Sequence, residues 1–258
     1  MITHTFTLEA MAMPFTVKLK ATPEMGLSAQ RVTTYRQLIQ QELDRLNHEF
    51  SPFRPDSLVR RFARQELTAA QLTRDFQTVY GWAVRAQDQT AGAFNPFFAG
   101  HYDPTGLVKG WAIQRVFEQY LRPALTRGDL VAAAINGAGD VQTGVAPGSD
   151  FYWRVGIENP LDPTRPTYAY RLQNAAVATS GTRQHGDHIV RQVPASLQQA
   201  TVVCPTLTPA DIYATAAVAM GRSRFLTFSR QHQLSGLLVT TGPHAQVVRI
   251  EGGVSHDA

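Results

Sequence analysis

The sequence predicts a mixed α+β fold. Segments that alternate apolar and polar residues lie among amphipathic helical segments, but without the regular strand–helix alternation of a doubly wound sheet. No short repeat of solenoid type is present. The 258 residues allow one large domain or two small ones. No linker divides them, so a single domain over residues 1–258 is expected. A chain of this length buries enough core to fold without disulfides or structural metal.

Each element has a local reason. Phe6 and Leu8 alternate with Thr5 and Thr7, and Phe15, Val17 and Leu19 alternate with Thr16, Lys18 and Lys20. Both stretches read as half-buried strands. Residues 28–49 form a long amphipathic helix, with Val32, Tyr35, Ile39, Leu43 and Leu46 at intervals of three or four. The prolines at 52 and 55 break it, and Asp56 is placed to cap a short helix through Phe62. Thr68 and Gln71 make a capping box ahead of Leu72, Phe76, Val79, Trp82 and Ala83. After a loop over residues 90–106, a third helix is expected from Val108 to just before Pro123. The apolar run 130–135 reads as a buried strand ending in a tight Asn-Gly-Ala-Gly-Asp turn. Strands follow at 151–157, 167–172, 175–178 and 201–203. Thr208 as N-cap, Pro209 as first helical residue and Asp211 behind it open a helix through Met220, which Gly221 ends. A helix at 223–233 and strands at 236–241 and 245–250 complete the chain.

Composition excludes several classes. Apolar residues make up 43% and charged residues 17%, which no disordered or collagen-like chain shows. The net charge is +4, without a basic tract to follow a phosphate backbone, so nucleic acid is not expected as a partner. Cys204 is the single cysteine, so there is no internal disulfide and no Cys/His zinc cluster. The first twenty residues alternate and lack an unbroken apolar stretch, so a folded segment is expected there rather than a signal peptide. No run of 18 apolar residues spans a membrane. A cytoplasmic protein without membrane insertion is the expectation.

Three stretches carry candidate chemistry. Asp211 and Thr215 lie four apart, on one helix face, and a carboxylate with a hydroxyl suits a hard cation such as Mg²⁺. The same spacing fits a carboxylate bonded back to the helix cap and a threonine in the core, which is the commoner case. Ala178-Thr179-Ser180-Gly181, followed by His185 and His188, offers small hydroxyl residues at a strand end with a proton acceptor nearby; an ordinary turn is the plainer reading. Lys109 at the start of a helix is electrostatically misplaced and needs an anionic partner or open solvent. Gly110 beside it points to close approach of a ligand.

Taken in order, these stretches resemble one family, the ApbE-type FAD:protein FMN transferases, over nearly the whole chain. Residues 50–57 resemble the family's F-S-x-[YF]-x-x-x-S, and residues 92–96 its G-A-F-D-P. Residues 103–112 resemble D-x-x-G-x-x-K-G-x-A, and 136–140 the N-x-G-G-D turn. Residues 153–160 resemble W-x-V-G-I-x-x-P; 177–181 match V-A-T-S-G, and 210–215 match A-D-x-x-A-T.

The resemblance implies a compact α+β fold with a flavin-binding cleft. It implies transfer of FMN from FAD to a threonine or serine hydroxyl of an acceptor flavoprotein, with release of AMP. It implies a divalent cation, Mg²⁺ or alternatively Mn²⁺ or Ca²⁺, held by Asp211, Thr215 and a main-chain carbonyl near Leu107–Val108. Lys109 would lie by the phosphates. Thr179, Ser180 and Gly181 would line the flavin or the phosphate path, Phe53 would lie near the isoalloxazine, and Ser57 and Asp140 would join the cofactor-binding set. His188, with Lys109 and Asp211, would be catalytic, the histidine by activating the acceptor hydroxyl.

The chain departs from the family pattern after His188, where Arg191 and Gln192 stand in place of Asp-Pro and the glycine turn is lost. Asn95 replaces an aspartate, and Ala138 a glycine. No lipoprotein leader is expected. The departures lie on the proposed acceptor side, which keeps two alternatives open: an FAD-binding protein without transferase activity, and an FAD pyrophosphatase giving FMN and AMP.

Overall fold

The structure is a computed structural model and describes residues 1–98, 100–160, 162, 164–181 and 195–257. Among these, nine strands form one antiparallel sheet in the order β1-β2-β3-β4-β7-β8-β9-β10-β11, and β5 and β6 form a separate ribbon. The helices pack against one face of the large sheet, and the ribbon covers part of the other. β3 shows how the chain serves both faces. Ala133 and Ile135 join the helical core, whereas Ala132 and Ala134 pack with Trp153, Ile157 and Leu172 under the ribbon.

β1 (Ile2–Ala10) and β2 (Met13–Ala21) form a hairpin. Its two-residue turn puts Met11 and Ala12 at φ 50° and 59°, as right-handed strand twist demands of such turns. Phe15, Val17 and Leu19 point inward and are fully buried, as their alternation requires. α1 (Ala29–Phe50) is capped by Ser28, whose Oγ accepts from the Arg31 N–H at 3.3 Å. It buries Ile39, Leu43, Leu46 and Phe50.

Three of the first four helix starts differ from expectation. Ser57, not Asp56, caps α2 (Leu58–Ala63), because the Asp56 carboxylate pairs with Arg54 instead. The capping box at Thr68 and Gln71 serves a single 3₁₀ turn, and α3 (Arg74–Gln89) begins afresh behind Thr73, whose Oγ accepts from the Phe76 N–H at 3.0 Å. α4 (Thr105–Val116) starts three residues earlier than the apolar pattern suggests, since the Asp103 carboxylate accepts from the Thr105 N–H at 2.9 Å.

Pro123 does not stop the third helix. The chain widens into a π-turn over Phe117–Leu121 and resumes as α5 (Arg122–Thr126). The wider turn spares a helix bond that proline could not donate.

β3 (Ala132–Gly137) turns at Ala138 and Gly139, at φ 49° and 94°, into β4 (Asp140–Val145). β4 was not expected. It is buried along its whole length, so it shows no two-residue alternation. β5 (Trp153–Glu158), β6 (Pro166–Leu172), β7 (Ala176–Gly181), β8 (Leu197–Cys204), β9 (Ser235–Thr240) and β10 (Val247–Glu251) fall where strands were expected, and β11 (Val254–Asp257) adds an unexpected edge. α6 (Leu207–Met220) runs along the sheet and ends at Gly221, φ 75°; α7 (Arg222–Gln231) follows. Among the described residues no helix is long and apolar enough to cross a membrane.

Candidate functional site

The ladder between β4 and β7 is short. Only Val141↔Val177 and Gln142↔Ala176 pair in register. One step further, a side chain replaces the backbone: Oδ1 of Asp140 accepts from the Thr179 N–H at 3.0 Å. The other carboxylate oxygen, Oδ2, lies 2.5 Å from the Lys109 ammonium. The expected anionic partner of Lys109 is present, but its helix-start placement is not: α4 begins at Thr105, so Lys109 lies in the second turn. The Asp140 side chain is fully buried and the Lys109 side chain 13% exposed.

α4 crosses α6 at this point. The Gly110 N–H donates to Oδ2 of Asp211 at 3.0 Å. A Cβ on Gly110 would sit 2.7 Å from both Cβ and Oδ2 of Asp211. The close approach that glycine permits is therefore to the neighbouring helix, not to a ligand as the sequence suggested. Gly110→Ala is expected to push the helices apart at about 1–3 kcal/mol, measurable as a lowered denaturation midpoint with an unchanged slope.

Asp211 is 4% exposed and lies five residues into α6, because Leu207, rather than Pro209, is the first helical residue. Its carboxylate does not bond back to the cap. Burial pushes it up to about 7, against the pull of Lys109 and the Gly110 N–H and with Asp140 adding to the rise. Burial pulls the Lys109 ammonium down, but Asp211 and Asp140 outweigh it and hold it above its ordinary value. Two carboxylates thus share one ammonium in a buried place.

One turn on, Oγ1 of Thr215 lies 3.2 Å from Oγ of Ser180. The methyl of Thr215 comes within 4.0 Å of where a Cβ on Gly106 would stand. Thr179 hydrogen-bonds through Oγ1 to Oγ1 of Thr201 at 2.9 Å. Gly181 ends β7 where a Cβ would press to 3.1 Å on the Gln198 carbonyl. The fold therefore gathers Lys109, Asp140, Thr179, Ser180, Asp211 and Thr215 in one neighbourhood, with Val108 buried on the adjoining turn of α4.

Two other sequence candidates stand differently. Phe53 is 86% exposed, a large aromatic face with nothing packed over most of it. Ser57 is fully buried, and its hydroxyl is engaged twice, accepting from the Arg60 N–H and donating to the Ser51 carbonyl at 2.7 Å. It shapes the loop behind Phe53. His188 and His185 lie outside the described residues.

The donor chemistry fits a hard divalent cation. Asp211 supplies a carboxylate whose one nearby ammonium is already paired with Asp140, and Thr215 and Ser180 supply hydroxyl oxygens. Among the described residues no group of three or more His, Cys, Asp or Glu side chains could hold a metal unaided. A cation here would need further oxygens, from hydroxyl and carbonyl groups and from a bound molecule, which is the habit of Mg²⁺.

The sequence matches the ApbE family over residues 11–102 and 100–238. The chain belongs to the ApbE family. Solved structures agree on the fold. The flavin transferase ApbE from Vibrio cholerae superposes with a TM-score of 0.73 at 18% identity, covering 100% of this chain and 97% of that one. The apo form of the Pseudomonas stutzeri flavinyl transferase ApbE gives 0.76 at 17% identity, with 99% and 94% covered. The ApbE protein from Thermotoga maritima gives 0.78 at 16% identity, with 97% of each chain covered. No protein of curated function matches the sequence.

Two polar side chains that the sequence pattern did not single out, Gln114 and Gln142, lie beside this site. Both reach the start of α6. The Gln142 carbonyl oxygen accepts from the Leu207 N–H at 2.9 Å, and that of Gln114 from the Thr208 N–H at 3.0 Å. The only sequence signal for them was a polar residue within an apolar stretch.

Proposed function

We propose that the protein is a divalent-cation-dependent flavin transferase that moves FMN from FAD to a threonine or serine hydroxyl of an acceptor flavoprotein, releasing AMP. The observation that carries the reading is the buried excess of carboxylate over ammonium at Asp211, Asp140 and Lys109, in a chain of this family. Asp211 and Thr215, with the Val108 main-chain carbonyl, are the residues that would hold Mg²⁺, whose chemistry here is to neutralise charge on the diphosphate.

The chain's own residues do the rest. Phosphoryl transfer needs positioning and charge stabilisation more than covalent chemistry. Lys109, kept charged by its two carboxylates, is a fixed positive group for the phosphates. Asp140 holds that ammonium in place and, through the Thr179 N–H, fixes the Thr179–Gly181 strand end beside it. Phe53 offers its open face to the isoalloxazine, and Ser57 braces the loop behind it. His188 would take the proton of the acceptor hydroxyl, since a hydroxyl is a weak nucleophile without a base.

Incubation with FAD, Mg²⁺ and a candidate acceptor tests the proposal. Flavin that stays on the denatured acceptor, with one AMP per flavin, is the expected result. AMP with free FMN would make the enzyme a pyrophosphatase, and bound FAD without either product would make it a binding protein.

Phe53→Ala gives a narrower check. The ring is exposed, so melting should not change. Loss of stacking worth about 0.5–1.5 kcal/mol should raise the FAD dissociation constant roughly two- to tenfold.

A further inference from the structure

The start of α6 is held in an unusual way. Thr206, its N-cap, makes no side-chain capping bond. Helix starts leave their first N–H groups without partners inside the helix. Here two glutamines from other elements take them. Gln142, on β4, accepts from the Leu207 N–H at 2.9 Å. Gln114, on α4, accepts from both the Thr208 N–H at 3.0 Å and the Thr208 hydroxyl at 2.7 Å. Gln142 and Thr208 are fully buried.

These partners sit on the elements that build the site. Gln114 lies one turn beyond Gly110 on α4, and Thr208 lies one turn before Asp211 on α6. The two helices are therefore tied at two successive points, Gly110 to Asp211 and Gln114 to Thr208. Gln142 lies two residues beyond Asp140, the partner of Lys109. The first N–H groups of α6 are occupied, so the helix start is not open to a phosphate; its role is to be anchored.

We infer that Gln114 and Gln142 are positioning residues, which set the height of α6 against α4 and β4 and so place Asp211 and Thr215 for the divalent cation. The inference rests on the proposed cation site. Direct hydrogen-bond partners of a metal ligand change affinity by roughly 10–100-fold when removed; these glutamines act one turn further off, through the helix, so the low end applies.

Mn²⁺ is the probe, titrated into the full-length protein with saturating FAD and followed by loss of the free-ion electron paramagnetic resonance signal. Gln114→Met keeps shape without an acceptor, and Gln114→Glu keeps the acceptor. The methionine variant should weaken Mn²⁺ binding about tenfold, and the glutamate variant should restore most of it. Measurements are made well below each variant's melting temperature. Gln142→Leu should behave as Gln114→Met; if it does not fold, the Gln114 pair carries the test.

Lower melting with unchanged Mn²⁺ affinity would overturn the inference and leave the glutamines as stabilising caps. Equal affinities for the methionine and glutamate variants would also overturn it. A wild-type protein that does not bind Mn²⁺ would overturn the cation site itself, and the positioning role with it.

Discussion

Asp211→Asn is expected to abolish cation-dependent turnover, by about 10²–10³-fold or more, while leaving the protein folded. Asparagine keeps the shape and an oxygen that can accept from the Gly110 N–H, so the α4–α6 contact survives. What it removes is the charge. Asp211 is the carboxylate without an ion pair of its own, because Lys109 sits 2.5 Å from Asp140. Losing one preorganised electrostatic element of an active site costs on that order in rate. The measurement is initial rate against Mg²⁺ concentration, with circular dichroism and melting as controls. Melting should hold or rise, since burial raises the Asp211 carboxyl and its removal relieves that cost. A variant that retains full turnover would place the cation elsewhere. Asp211→Ala would be a poorer test, since it also strands the Gly110 N–H.

The sequence made some of this site legible, for identifiable reasons. Asp211 and Thr215 share a face because helix geometry fixes what lies four residues apart, whatever the fold. Lys109 was singled out as a cation at a helix start; α4 in fact starts at Thr105, and it is burial of the ammonium that demands the anion. Which anion it meets depends on tertiary contact: Asp140 is 31 residues away on a strand, β4, whose complete burial erased the alternation that marks strands. The same applies to Gly110, whose bareness was visible although the group that needs the space, Asp211, was not.

Helix starts were the least legible feature of the sequence. The capping preferences at Asp56, Thr68 and Thr208 are local: those at Asp56 and Thr208 were overridden by competing hydrogen bonds, and the box at Thr68 formed but served only a 3₁₀ turn. Asp56 pairs with Arg54, Thr73 restarts the helix that Thr68 was to open, and Thr208 takes a partner in Gln114 that no local rule could name. The strands and helices themselves survived, because periodic burial over many residues outweighs one misplaced cap.

Lys109→Met is expected to destabilise the fold by about 3–5 kcal/mol, because it leaves the Asp140 carboxylate buried and unpaired. The Lys109–Asp140 pair closes the gap where the β4–β7 ladder stops, so the damage falls at the centre of the sheet. In a chain of this length that is roughly a 6–20 °C drop in melting temperature. Adding Asp140→Asn should recover most of the loss. Asparagine removes the stranded charge and keeps the oxygen that accepts from the Thr179 N–H. Turnover should remain low in the double variant, because the positive group proposed for the phosphates is still missing. The expected outcome separates stability from activity: the pair would be replaceable as structure and the ammonium not as chemistry. Recovery of both in the double variant would remove Lys109 from the mechanism, and a single variant that melts with the wild type would show that Asp140 does not depend on its charge.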